Sequence, residues 1–111
     1  MIQGQGVKLV DVRVSEHKPE LVDLCRCFHV QRLELFGSAV SGSFDPERSD
    51  LDFLVEFDPL SHSEYASAFF ALKEALEQLF GRPVDLVVPS AIRNPYFRQS
   101  VEKNKALLYA A

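Results

Sequence analysis

At 111 residues the chain has the length of one domain with one core. Hydrophobic residues at 47% and charged residues at 25% exclude a disordered chain. A net charge of -4 excludes an extended nucleic-acid surface, because coating phosphate needs a cationic excess, yet it leaves room for one small anionic ligand held through a metal ion.

No apolar run approaches the roughly 18 residues of a membrane helix, so no membrane partner is expected. Residues 1–6 are polar and lack the charged-then-apolar order of a signal peptide. Cys25 and Cys27 lie two apart in a helical pattern and point in different directions, which argues against a local disulfide or a shared metal site. A cytoplasmic, reducing compartment is the natural reading.

Residues 7–14 alternate loosely and read as an edge strand, so residues 1–18 form an extra N-terminal strand or arm on a single domain spanning 1–111. Pro19 suits the first turn of a helix, whose apolar face is Leu21, Leu24, Cys25 and Phe28. Residues 30–36 have a strand pattern that Gly37 and Ser38 end. Residues 39–49, rich in Ser, Gly, Asp and Pro, read as a loop. In the next strand Leu51, Phe53, Val55 and Phe57 share one face, and Asp50, Asp52, Leu54 and Glu56 the other.

Ser61-His62-Ser63-Glu64 has the spacing of a capping box. Tyr65, Phe69, Leu72, Leu76 and Leu79 then recur at helical steps, and Gly81 and Pro83 stop the helix. Residues 84–88 form a short apolar strand carrying Asp85. Residues 96–109 read as a closing helix. The fold class expected is α/β, a small mixed sheet flanked by helices.

This order gathers three acidic residues. A loop without a helix joins the first two strands, which favours antiparallel pairing; a helix joins the second to the third, which favours parallel pairing. Gly37-Ser38 then lies beside Asp50, and Asp85 comes level with Asp50 and Asp52 at one sheet end. Three clustered carboxylates raise one another's pKa unless a cation is present. A hard oxygen set of this kind suits Mg²⁺ or Mn²⁺, which bridge substrate phosphates. A glycine permits close approach of backbone to phosphate, and backbone N–H groups with the Ser38 hydroxyl are donors to it.

At these residues the chain resembles a known family. Leu35-Phe36-Gly37-Ser38 followed by Ser49-Asp50-Leu51-Asp52-Phe53-Leu54-Val55 is similar to the Gly-Ser … Asp-x-Asp signature of the DNA polymerase beta-like nucleotidyltransferases, and Pro83-Val84-Asp85-Leu86-Val87 resembles the strand bearing their third carboxylate. The short length and Asn94-Pro95-Tyr96-Phe97 before the last helix resemble the minimal nucleotidyltransferases, or MNT proteins. The resemblance covers residues 20–110. It implies a palm-like fold in which Asp50 and Asp52 bind the metals and Asp85 completes the site and helps activate the attacking hydroxyl. Gly37 and Ser38 would hold the phosphates of the nucleotide, ATP.

Many MNT proteins are antitoxins paired with a HEPN-domain ribonuclease, and some transfer AMP onto a toxin tyrosine. The resemblance therefore implies a HEPN-type toxin encoded nearby as partner, with homo- or hetero-oligomer formation left open. One departure stands out: Ser41 occupies the position where family members commonly carry an arginine. Arg48 or Arg93 is the candidate replacement on a phosphate. The intact carboxylate set favours an enzyme, a protein adenylyltransferase. The missing arginine favours the alternative, a binding module that keeps the fold and neutralises its partner by contact.

Other residues have plainer readings. His17, His29 and His62 share no ligand spacing and read as surface residues. Cys25 and Cys27 read as core or half-core thiols, the Phe69-Phe70 pair as core, and Tyr96 and Phe97 as packing for the last helix ahead of a surface presented to a partner.

Overall fold

A computed structural model describes residue 14, residues 16–37 and residues 50–111. The edge strand expected over 7–14 lies outside the described residues except for Val14, which is buried in a helical turn and not in a strand. The expected loop at 39–49 also lies outside them. Helix α1 (Lys18–Cys27) carries Pro19 in its first turn and buries Leu21 and Cys25. His29 turns the chain with φ at +61°, and strand β1 (Val30–Phe36) follows at once.

Strand β2 (Leu51–Phe57) leads through Asp58 and Pro59 to α2 (His62–Phe80). The capping box is formed. Ser61 Oγ accepts the Glu64 N–H at 3.2 Å, and Glu64 Oε1 accepts the Ser61 N–H at 3.2 Å. Gly81 ends α2 with φ at +65°, where a side chain is strained, and its N–H donates to the Glu77 carbonyl at 2.8 Å. Strand β3 (Val84–Val87), a short 3₁₀ turn at Pro89–Ala91, α3 (Pro95–Lys103) and β4 (Ala106–Ala110) complete the chain.

The four-stranded sheet has the order β3-β2-β1-β4. β1 pairs antiparallel with β2 and with β4, and β2 pairs parallel with β3, as the connections require. On one face Leu33, Leu35, Phe53, Val55 and Leu86 pack against Leu21 and Cys25 of α1 and Leu72 and Leu76 of α2. On the other, Phe36, Leu54 and Val87 meet Ile92 and Val101.

The closing helix over 96–109 is corrected. α3 stops at Lys103, and residues 106–110 form a strand. A helical spacing of Phe97, Val101 and Leu108 is present in the sequence, but it loses to the open edge of β1. That edge would leave backbone N–H and C=O groups unpaired, and pairing Leu33 with Tyr109 and Glu34 with Leu107 satisfies them.

Three smaller expectations change too. Phe70 is 66% exposed and Tyr96 81% exposed, so neither is core. Cys25 is buried and its thiol is pushed up to about 12 by that burial, which makes it inert, whereas Cys27 is exposed.

Among the described residues Glu34 is the one buried charged side chain, at 3% exposure. Its carboxylate lies 3.3 Å from Arg32 Nη2 on its own strand and 3.3 Å from Lys105 Nζ, which precedes β4. Lys105 also meets Glu102 of α3 at 3.1 Å, so this network ties β1, α3 and β4 together.

Removing one partner strands a buried charge, while removing both does not. Lys105→Ala should therefore lower stability by about 2 kcal/mol, less than the loss of a sole partner because Arg32 remains. Adding Glu34→Leu should recover most of it. Urea unfolding midpoints check this; equal losses in the single and double variants would contradict it.

Candidate functional site

The row Phe36–Asp52–Asp85 crosses the sheet. Phe36 is the β1 partner of Asp52, and Asp85 is its β3 partner. Asp52 and Asp85 therefore lie side by side on neighbouring parallel strands, as the sequence leads one to expect. Asp50 is exposed, just before β2, and Asp85 is exposed on β3. Asp52 is half-buried between them.

Several local contacts hold this row in place. The Leu51 N–H donates to the Pro83 carbonyl at 3.3 Å, which begins the β2–β3 pairing. Glu77, in the last turn of α2, accepts the Val84 N–H at 3.1 Å and is 3.0 Å from Lys73 Nζ. Those two donors, the Val84 amide first, hold the Glu77 carboxyl below its ordinary value. The end of α2 is thus pinned one residue before Asp85.

Gly37 follows β1 with φ at +78°. A Cβ placed there would press into the Asp52 carboxylate, with Asp52 Cγ at 3.1 Å and Cβ at 3.3 Å. Only glycine lets the chain turn this close to the acid. Of the other residues singled out from sequence, Arg93 is exposed in the link before α3. Ser38, Ser41 and Arg48 lie outside the described residues.

Electrostatics follow from the geometry. The Asp52 carboxyl is raised from 3.8 to about 6, first by burial and then by the charges of Asp85 and Asp50. A cation at this point reverses the effect. Among the described residues no group of three or more His, Cys, Asp or Glu is placed so as to hold a metal ion, Asp50, Asp52 and Asp85 included. An open carboxylate set is what Mg²⁺ requires, since that ion keeps waters and substrate oxygens and takes only one or two carboxylates from the protein. The paired carboxylates of Asp52 and Asp85 match the one or two that such an ion takes from a protein.

A cleft of about 310 Å³ opens beside Asp52. Phe36, Gly37 and Asp52 form its sheet wall; Phe97, Ser100 and Val101 of α3, with Asn104 just past its end, form the other. Sequence reasoning missed the α3 residues. Their signal was the spacing 97, 100, 104 along one helical stripe, which on its own reads as ordinary amphipathic helix. Phe97 does pack, edge to face with Phe36 at 6.1 Å between ring centres, yet it stays 44% exposed at the cleft.

Comparison with known proteins places the chain in a family. The family model described as "Nucleotidyltransferase domain" matches residues 14–108. The chain is 37% identical over 91 residues to "Putative protein adenylyltransferase MJ1379" of Methanocaldococcus jannaschii, covering 82% of this chain and 86% of that one. It is 37% identical over 81 residues to "Protein adenylyltransferase MntA" of Thermococcus cleftensis, covering 73% and 75%. Among solved structures, a toxin–antitoxin determined with AMP-PNP superposes with a TM-score of 0.62 at 26% identity, covering 85% of this chain and 73% of that chain. Among the described residues no helix is long and apolar enough to cross a membrane.

The raised Asp52 carboxyl fixes a pH dependence. Its pKa is higher folded than unfolded, so its stabilising contribution is full below about pH 4 and is lost as pH rises through about 6. In EDTA, thermal unfolding of the wild-type chain should show that slope. Asp52→Asn should flatten it and leave the variant more stable than wild type at neutral pH. Gly37→Ala should do the opposite to stability, costing about 2 kcal/mol from the left-handed backbone alone, before the clash with Asp52 is counted.

Proposed function

The chain belongs to the nucleotidyltransferase domain family, and from that premise we propose that it transfers AMP from ATP to a hydroxyl group on a partner protein, a HEPN-type toxin. The observation that carries the reading is the in-register pairing of Asp52 with Asp85 directly beside the Gly37 turn. A pure binding surface has no reason to set like charges side by side, half-buried, where they destabilise the fold. Support for the donor and for the partner comes from the superposed toxin–antitoxin with AMP-PNP and from relatives named protein adenylyltransferases.

The residues divide the work as follows. Asp50 and Asp52, with Asp85, would hold Mg²⁺ or Mn²⁺, which when bound neutralises phosphate charge and polarises the phosphorus under attack. Asp52 is held rigidly by its two neighbouring strands, so the donor is oriented without reorganisation of the protein. The turn at Gly37 lets the backbone come close to the triphosphate, and Ser38 and Arg48 are the candidates for its remaining oxygens. Asp85, exposed and level with Asp52, takes the proton of the acceptor hydroxyl as its oxygen bonds to the α-phosphorus. The bond from that phosphorus to the bridging oxygen breaks, and pyrophosphate leaves with the electron pair.

Incubation with ATP and Mg²⁺, with and without a co-expressed HEPN-type partner, followed by intact mass of both chains, tests this. One or more AMP additions on the partner are expected, abolished by Asp52→Asn and reduced at least about 100-fold by Asp85→Asn, the scale of a lost general base. A stable complex with no added mass would overturn group transfer and leave neutralisation by contact, the reading that Ser41 favours.

A further inference from the structure

The cleft beside Asp52 has two unlike walls. Gly37 and Asp52 stand on one; Phe97 and Ser100 of α3, with Asn104 just past its end, stand on the other. We propose that the α3 wall is the nucleoside subsite, with the donor's base against the Phe97 ring and its sugar or base edge hydrogen-bonded by Ser100 and Asn104. The proposal rests on nucleotidyl transfer at this site and adds which residues select the donor.

Charge sets the direction in which a nucleotide lies. Among the described residues lining the cleft, Asp52 is the one ionisable group, and no Lys or Arg is among them at the α3 wall. A phosphate there would have no counter-charge, whereas at Asp52 it would share the cation that the carboxylates call for. The neutral half of the donor therefore belongs on α3. That half has a flat apolar base and a hydroxyl-rich sugar, and α3 offers a ring, a hydroxyl and an amide to match.

The helix is built to present them. Residues 97 and 100 fall on one face of the helix, Asn104 follows as its C-cap residue, and the adjacent Val101 anchors the helix in the core. Asn94 caps the first turn, its Oδ1 accepting the Tyr96 and Phe97 N–H groups at 2.8 and 3.2 Å. Arg98 fixes the rotation of the helix by donating to the carbonyls of Ile92 at 2.8 Å and Pro89 at 3.1 Å. With its rotation set, that face lines the cleft. The volume, about 310 Å³, lies at the small end of ligand pockets, which suits one nucleoside and excludes a folded surface.

Titration calorimetry of the full chain in Mg²⁺ with two probes, ATP and inorganic tripolyphosphate, tests the assignment. Phe97→Leu keeps an apolar contact with Phe36 but removes the aromatic face; Ser100→Ala and Asn104→Ala alter exposed side chains and should fold normally. Phe97→Leu and Asn104→Ala are each expected to weaken ATP roughly 10-fold, within the range seen for a lost stacking partner, and to leave tripolyphosphate unchanged. Asp52→Asn is expected to weaken both probes. Unchanged ATP affinity in the α3 variants, or equal loss of both probes, overturns the nucleoside subsite while the phosphate site stands. Unchanged affinity for both probes in Asp52→Asn overturns the proposed function itself.

Discussion

The register of β2 between its two neighbours is the constraint on which the rest of this structure depends. Side chains alternate along a strand, so a slip of one residue would turn Asp52 into the core and Phe53 out of it. Phe53 is fully buried, with Leu51 and Val55 beside it, against Leu72 and Leu76 of α2. Burying a Phe of that kind is worth about 2–3 kcal/mol, and the three residues together make the slipped register inaccessible. The apolar face of β2 thus decides where the acidic face points. Pairing on both sides then carries that decision outward, to Gly37 on the β1 side and to Asp85 on the β3 side.

What this register produces is locally unfavourable. Asp52 is half-buried among like charges, and its carboxyl is pushed up to about 6 as a result. Gly37 turns in a left-handed conformation that any side chain would strain, and a Cβ there would also meet that carboxylate. Such strain persists only where the surroundings over-determine it. Here they do, through the β2 core, the Glu77–Val84 hydrogen bond at the end of α2, and the sheet pairing itself. A perturbed carboxylate in a cleft, held in place against its own preference, is the pattern from which the proposed function is argued.

Legibility in the sequence followed the range of the interactions involved. Features set by neighbours in the chain could be read directly. The Ser61–Glu64 capping box, the Gly81 stop, and the alternation of β2 that puts Asp52 opposite Phe53 all follow from local geometry. The pairing of Asp52 with Asp85 needed one more step, the preference of a strand–helix–strand unit for parallel strands. β4 was not legible. Residues 106–110 carry no strong strand pattern, and their conformation is set by the open edge of β1, some seventy residues earlier. Phe97 was half legible, since it does pack on Phe36, but its exposure at the cleft depends on how α3 crosses the sheet.

That crossing separates two tasks that the sequence alone cannot tell apart. The carboxylates sit on strands whose positions are locked to one another by the hydrogen-bonding ladder, so altering one disturbs the others. α3 is attached differently, through Val101, the Arg98 clamp on Pro89 and Ile92, and the Glu34–Lys105–Glu102 network near its end. Its cleft-facing stripe is not part of any of those attachments. Residues at 100 and 104 can therefore change without moving Asp52, and reaction chemistry and donor choice become separable by construction. A fold this small, with one sheet and three described helices, has few other ways to vary its ligand while keeping a charge cluster that tolerates almost no displacement.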